Sequence, residues 1–329
     1  MRSDLPKKTA YLVLCVLLLL VAACASVSVG ARTIAPVEIW RALAGHAGTD
    51  DQLIIWDVRV PRTVLGICVG AALGASGTLI QTLTRNPLAE PGVLGVTAGA
   101  AFAITMAGAL RLAETQAAQL LFAAAGAVLA ALLVYTVGRT SPLRLVLAGV
   151  ALSSVLAGVS LGMRLMLPDV FDRFRFWSAG ALAGHERMPL TAPLLLIIIA
   201  LAGAMAVTRP LNALVLGEQI AQVLGGRVAR TRAAVLVLVT VLAGVATAVA
   251  GPIAFVGLIV PHLARRPAAG SIPWLMVYTI LLGPILLLAS DVAARVLLPT
   301  GEVPVAVVTA FLGGPVLIWA VRRYGAVTL

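Results

Sequence analysis

The sequence has 329 residues, of which 61% are hydrophobic and only 11% are charged, and its mean hydropathy is +1.06. This composition excludes a soluble globular protein, which needs fewer apolar residues to fill its core. The net charge of +11 is carried by arginines apart from Lys7 and Lys8, without the basic and aromatic stripe that binds nucleic acid. We expect an all-α polytopic membrane protein, because the apolar runs have the length of membrane-spanning helices, about 20 residues.

The first predicted element is an apolar run at residues 10–30 that follows a basic start. Its stretch Val21-Ala22-Ala23-Cys24 is also compatible with a signal peptide that ends at a lipid-modified cysteine. We favour a transmembrane helix, because the run continues past Cys24 to about Gly30 and reaches spanning length.

Further apolar runs follow, bounded by charges, prolines and glycines. The ten predicted spans are 10–30, 63–83, 93–110, 117–137, 143–166, 189–208, 233–250, 252–266, 273–298 and 304–321. Small residues from Gly70 to Gly77 are expected to let the second span approach its neighbours closely. The 252–266 span contains Pro252 and Pro261, which are typical of a broken or re-entrant helix. Together the spans predict a single transmembrane domain over residues 1–329.

The distribution of basic residues predicts which helix ends face the cytoplasm. With the N-terminus inside, 14 of the 24 Lys and Arg residues fall in cytoplasmic segments and 10 fall outside. Because cytoplasmic loops are enriched in basic residues, we expect both termini and the segment at about 209–232 to be cytoplasmic. The long segments at about 31–62 and 167–188 are then expected outside.

The cysteines and histidines indicate neither a disulfide framework nor a metal site. Cys15, Cys24 and Cys68 lie inside apolar runs without paired spacing. The three histidines, His46, His185 and His262, are far apart in the sequence. We expect this chain to bind no metal ion.

An acidic residue lies within the ninth span. Asp291 is ~27 Å along its helix at ~1.5 Å per residue, near the outer boundary of a ~30 Å hydrocarbon core. Arg295 follows four residues later on the same helical face. We therefore predict a local ion pair, although intramembrane carboxylates also serve as proton relays.

The cytoplasmic segment contains a short amphipathic pattern. Apolar residues recur at positions 216, 220, 223 and 224, and the glycine pair Gly225-Gly226 is suited to end a helix. Such a helix rests on lipid headgroups or docks on a protein partner. Because its polar face is weakly charged and lacks aromatic anchors, the pattern is at least as compatible with a protein partner as with lipid.

The ordered set of motifs resembles the permease subunits of ATP-binding-cassette importers for iron-siderophores, haem and vitamin B12. The matching stretches are Arg59-Val60-Pro61-Arg62, Gly70 to Gly77 with Gln81, Asn86 to Pro91, Leu216 to Glu218, Ala250 to His262, Asp291 with Arg295, and Glu302 to Pro304. The resemblance implies the vitamin-B12-permease-like fold of type II ABC importers, with about ten transmembrane helices.

The resemblance also implies an assembly in the cytoplasmic (inner) cell membrane. Its parts are a second permease subunit, identical or paralogous, two cytoplasmic ABC ATPase subunits and an extracytoplasmic substrate-binding protein. This chain has no Gly-x-x-x-x-Gly-Lys-[Ser/Thr] loop and no lysine after Lys8. We therefore expect it to be no enzyme and to bind no cofactor, with Mg-ATP held by the partner ATPase subunits.

Three groups of residues match functional positions of such permeases. The segment that fits into a cleft of the ATPase matches Leu216, Gly217, Glu218, Ile220, Ala221, Leu224 and Gly225. The outer arginines that meet acidic residues of the binding protein match Arg59, Arg62 and Arg295, each of which is alternatively an arginine that snorkels at the interface. An inner turn or gate of the pathway, or simply a tight helical connection, matches Asn86, Pro87, Glu90 and Pro91.

We predict that the cargo is an iron-siderophore complex, with haem and cobalamin as alternatives within the family. The connection from Thr140 to Arg144 lacks the paired small hydroxyl residues that vitamin B12 permeases place at their gate, which favours a siderophore. Two other classes are an ion-gradient secondary transporter that uses Asp291, and an exporter or scaffold with the same fold. The shallow position of Asp291 and the coupling segment both oppose the secondary transporter.

Overall fold

A computed structural model describes residues 5–30, 34, 37–38, 41–42, 45, 50–138, 141–184, 190–215, 217–223, 225–298 and 301–324. The α-helices within these ranges are α1 (Leu5–Ser28), α2 (Val60–Thr84), α3 (Val96–Ala109), α4 (Gln116–Gly138), α5 (Pro142–Met166), α6 (Pro168–Ser178), α7 (Thr191–Val215), α8 (Glu218–Val223), α9 (Val228–Ala250), α10 (Val256–Ala268), α11 (Ile272–Val296) and α12 (Val305–Tyr324). A short α turn (Asp50–Leu53) and a π-helix (Ile54–Arg59) lead into α2, and a 3-10 turn (Pro91–Leu94) precedes α3. Every regular element in the described ranges is helical, so the all-α prediction is confirmed.

Ten of the α-helices in these ranges overlap the ten predicted spans, whereas α6 and α8 lie between spans. In the described residues, seven are long and apolar enough to cross a membrane: α1, the stretch Asp51–Thr84 that contains α2, α4, α5, α7, α9 and α11. α3 and most of α12 are shorter apolar helices, and α10 has 13 residues. α1 continues through Cys24 to Ser28 and packs on α11, as expected of a transmembrane helix.

α2 lies at the centre of the bundle and contacts α7, α9, α10 and α11. Its glycines permit the close approach that the sequence predicts. A Cβ atom on Gly70 would lie 2.6 Å from the backbone nitrogen of Pro284, and one on Gly74 would lie 2.6 Å from the carbonyl oxygen of Thr279. Because both neighbours are backbone atoms of α11, a larger residue at either position would force the two helices apart.

The segment before α10 is broken, one of the two forms that the sequence predicts. α9 ends at Ala250, residues 251–255 are not helical, and α10 begins at Val256. Phe255 has a φ of 70°, in the left-handed region that a non-glycine residue adopts only with strain. The helical path is therefore interrupted immediately before α10.

Two helical boundaries differ from the sequence prediction. α7 continues through Pro210 to Val215 rather than ending at residue 208, because its packing against α2, α9 and α11 holds the helix together around the missing proline N–H. The predicted outer connection at 167–188 contains the amphipathic helix α6, whose 11 residues are too few and too polar to form an apolar run of spanning length.

The bundle has two distinct ends. We name the arginine end after Arg59 and Arg62, which lie beside the C-terminus of α1 and the C-terminal part of α11. We name the turn end after the residues that follow α2, where the Arg85 guanidinium donates to the carbonyl oxygen of Leu214 in α7 at 2.7 Å. The sequence predicts that the arginine end is extracytoplasmic and the turn end cytoplasmic.

Candidate functional site

A buried carboxylate organises the arginine end. Asp291 of α11 is 1% exposed and accepts hydrogen bonds from Arg62 Nη2 at 2.8 Å and from Arg62 Nε at 3.1 Å. Arg295 Nε donates to the same carboxylate at 3.0 Å, and Arg295 Nη2 also pairs with it. Arg62 Nη1 extends the network to Glu302 Oε2 at 2.7 Å. The predicted pair between Asp291 and Arg295 is thus confirmed, as part of a larger network.

The same end holds the C-terminus of α1. Arg295 Nη1 donates to the carbonyl oxygens of Ser26 at 2.7 Å and Val29 at 2.8 Å. Arg59 Nη1 donates to the carbonyl oxygens of Val27 and Ser28 at 2.8 Å and 2.7 Å. The last carbonyls of a helix have no partner within the helix, so the two guanidinium groups satisfy them and tie α1 to α2 and α11.

This bonding limits which arginine is accessible at the surface. Arg59 is 5% exposed and Arg295 is 6% exposed, and both donate to α1. The side chain of Arg62 is 10% exposed, whereas that of Glu302 is 36% exposed. Docking of a binding protein on the three arginines stays a prediction, and the accessible part of this network is the Arg62–Glu302 pair.

The predicted inner turn begins at the C-terminus of α2. Arg85 adopts a left-handed conformation with a φ of 52° and ends the helix. Asn86 Oδ1 accepts a hydrogen bond from the backbone N–H of Leu88 at 2.9 Å, which closes a tight turn in which Pro87 lies. Pro91 opens the 3-10 turn, and α3 begins only at Val96.

The chain then returns into the bundle rather than remaining at its surface. Pro91 and the carbonyl of Leu73 both lie against Gly257, at the start of α10. Leu73 is eleven residues before the end of α2, which is about 16 Å along the helix. This re-entry explains why α3 has only 14 residues, since part of the bundle depth is already crossed by residues 86–95.

Glu90 lines a partly open cavity of about 270 Å³. The cavity lies between α2, α3, α9 and residues 252–254, and Thr97 and Thr247 also line it. Glu90 Oε1 accepts a hydrogen bond from the backbone N–H of Phe255 at 3.4 Å, so the carboxylate faces the N-terminus of α10. Burial raises the pKa of the Glu90 carboxyl, and the bond from Phe255 opposes that increase only in part. The sequence placed this residue at a turn, and the fold places it in a cavity wall.

A second buried polar contact, which sequence reasoning missed, joins α2 to α10. Gln81 Nε2 donates to the carbonyl oxygens of Gly257 and Leu258 at 3.2 and 3.3 Å. Arg265 Nη2 donates to Gln81 Oε1 at 2.7 Å. Gln81 belongs to a recognised motif, but its partner lies 184 positions away, and no local pattern indicates it.

The predicted coupling segment forms the short helix α8 next to the turn end. Gly217 and Gly225, with φ of 121° and 80°, bound the helix in conformations that favour glycine. Ala221 is buried and its N–H donates to the carbonyl of Gly217 at 2.9 Å, whereas Ile220 and Val223 are exposed. Leu216, Leu224 and the side chain of Glu218 lie outside the described residues. α8 packs on α7 and α9 and presents apolar side chains outward.

Within the ranges that the structure describes, no three His, Cys, Asp or Glu side chains come close enough to hold a metal ion. His46 and His185 lie outside those ranges.

Comparisons with known proteins agree with this architecture over nearly the whole chain. The FecCD transport family matches residues 18–323. The chain is 46% identical over 312 residues to the ferric enterobactin transport system permease protein FepD of Escherichia coli (strain K12), covering 93% of each protein. It is 34% identical over 318 residues to the hemin transport system permease protein HmuU of Yersinia pestis, again covering 93% of each.

The fold is also similar to a solved structure. An inward-facing conformation of a metal-chelate type ABC transporter superposes with a TM-score of 0.84 at 28% identity, covering 96% of this chain and 99% of that chain. The helical order, the family match and the relatives therefore agree with the resemblance seen in the motifs. The chain belongs to the FecCD transport family and is a membrane-embedded permease of the ABC importer type.

Proposed function

We propose that this chain carries a ferric siderophore across the cytoplasmic membrane as the permease subunit of an ATP-driven importer. The observation that supports this cargo most directly is the 46% identity to the ferric enterobactin permease over 93% of both chains. The hemin permease is a weaker match, at 34% identity. The chain works without chemistry of its own, and Mg-ATP is bound and hydrolysed by two partner ATPase subunits.

The ATPase subunits dock on α8 from the cytoplasm in this proposal. The exposed apolar side chains of Ile220 and Val223 supply the contact surface, and the buried Ala221 anchors the helix to the bundle. Because α8 packs on α7 and α9, a displacement of α8 is passed to both helices. The bond from Arg85 to the carbonyl of Leu214 extends that path from the end of α7 to the central helix α2.

The remaining partners complete the importer. A substrate-binding protein delivers the chelate at the arginine end, where the Arg62–Glu302 pair is accessible. A second permease subunit, identical or paralogous, forms the other half of the pathway. The N-terminus and C-terminus lie in the cytoplasm in this arrangement.

Transport by the reconstituted importer tests the proposal. The chain is placed in proteoliposomes with its ATPase and binding protein, and uptake of radioactive iron is measured with ferric enterobactin, ferric citrate and hemin. We expect ATP-dependent uptake of ferric enterobactin. Uptake of hemin alone would assign the haem alternative, and uptake driven by an ion gradient in liposomes that lack the ATPase would refute the importer itself.

A further inference from the structure

An open apolar groove runs along the side of the bundle between α4 and α9. It has a volume of about 170 Å³. Leu236 and Ala131 are buried and form its floor, while Val128, Leu132 and Val237 are exposed along its edges. The hydroxyl of Thr240 donates to the carbonyl oxygen of Leu236 at 2.8 Å, so this polar atom is satisfied within α9. The groove therefore offers an apolar surface that opens on the side of the bundle.

The groove leads to a polar end. Leu236 also lines a smaller adjoining cavity, together with Thr84, Ser141 and Arg232. Arg232 is nine residues before Val241, which lines the far end of the groove, a distance of about 13.5 Å along α9. Half of an about 30 Å hydrocarbon core is about 15 Å, so the groove has the length of one leaflet. The apolar part therefore matches the length of an acyl chain of one leaflet, and the polar part lies at one end of it.

The charge at the polar end is positive. Arg227 and Arg230 are exposed in or beside the first turn of α9, and Arg144 is exposed in the first turn of α5. Neither of these two helices carries an acidic residue in its first turn. Tyr135 lines the groove three residues before the end of α4, at the level where tyrosines concentrate in membrane proteins. The surroundings of Arg232 are therefore complementary to an anionic headgroup.

We propose that this groove is a binding site for an anionic phospholipid. One acyl chain lies between α4 and α9, and the headgroup phosphate lies near Arg232 and the basic first turns of α5 and α9, since the hydroxyls of Thr84 and Ser141 are already bonded within the protein. A peptide segment is a poor occupant, because its backbone N–H and C=O groups would find no partners along the apolar walls. The site is distinct from the arginine end and from α8, and it does not depend on the identity of the transported chelate.

Lipid retention by the purified chain tests this proposal. Native mass spectrometry of the full-length protein in detergent is performed with dioleoylphosphatidylglycerol and dioleoylphosphatidylcholine, added separately and mixed. We expect one phosphatidylglycerol to be retained in preference to phosphatidylcholine. Arg232→Gln should weaken that retention about fivefold, the effect of one basic residue near the membrane surface. Ala233→Phe, which narrows the groove beside Arg232, should reduce retention of both lipids.

Two control variants carry matched substitutions elsewhere. Arg322→Gln removes an exposed charge from α12 and is the control for Arg232→Gln. Ala202→Phe adds a ring to the exposed face of α7 and is the control for Ala233→Phe. Neither Arg322 nor Ala202 lines the groove. Both should retain phosphatidylglycerol as the unmodified chain does. Equal retention of the two lipids, or equal losses in test and control variants, would overturn the proposal.

A second measurement requires no variant. Phosphatidylglycerol that carries a diazirine in its acyl chain is photolysed with the unmodified chain in phosphatidylcholine nanodiscs. Labelling should concentrate in peptides that contain residues 128–135 and 233–241. Labelling spread evenly over all the helices would contradict a site between α4 and α9.

Discussion

Replacing Asp291 with asparagine should destabilise the whole bundle, because this carboxylate balances the buried guanidinium group of Arg295 and also pairs with Arg62. Asp291→Asn keeps the shape of the side chain but removes the charge that Arg62 and Arg295 share. Removing one partner of a buried ion pair leaves an uncompensated charge and costs about 3–5 kcal/mol. Here one of the uncompensated guanidinium groups also holds the C-terminus of α1, so we expect α1 to loosen from α11.

The free energy of unfolding measured in mixed micelles with increasing sodium dodecyl sulfate would test this magnitude. Arg175→Gln is a suitable control, because Arg175 pairs with Asp172 at 3.5 Å with both side chains more than half exposed. Pairs of that kind contribute less than about 1 kcal/mol. Asp291→Glu, which restores the charge, should recover part of the loss.

A double-mutant cycle on Arg62 and Asp291 would isolate their interaction. We expect a coupling free energy of about 1–3 kcal/mol, since the two side chains share several hydrogen bonds. If Asp291→Asn proved no more destabilising than Arg175→Gln, the reasoning about the buried network would be refuted.

Three further predictions concern the turn end, the cavity and the central helix. Val223→Glu should abolish ATP-dependent uptake and lower co-purification of the ATPase without affecting membrane insertion. Gln222→Glu, on the same helix, should have only a weak effect on uptake. Normal uptake by the Val223 variant would contradict docking on α8. Burial raises the pKa of Glu90, which means that the folded state favours the protonated carboxyl. The free energy of unfolding should therefore fall as the pH rises through that pKa. Glu90→Gln should flatten this dependence when unfolding curves are measured at several pH values. Gly70→Leu should lower the free energy of unfolding by about 1–3 kcal/mol, because the new side chain would meet the backbone of Pro284. An unchanged free energy of unfolding would disprove the close contact.

The sequence determined the features that depend on local spacing. The lengths of the apolar runs predict the membrane helices, because a helix must cross a fixed thickness of hydrocarbon with all its backbone groups satisfied. The four-residue spacing of Asp291 and Arg295 predicts their ion pair, since these positions share one face of a helix. The glycine pair Gly225-Gly226 likewise predicts where that short helix ends.

Only the tertiary structure decided which distant groups meet. Arg62 reaches Asp291 across 229 positions, and Arg265 reaches Gln81 across 184, through packing of helices that no local pattern encodes. The burial of Glu90 also depends on tertiary structure. Whether its loop stays at the surface or re-enters the bundle is decided by the space that the surrounding helices leave. Spacing along one helix is set by covalent geometry, whereas these contacts are set by the close approach of α2 to α10 and α11.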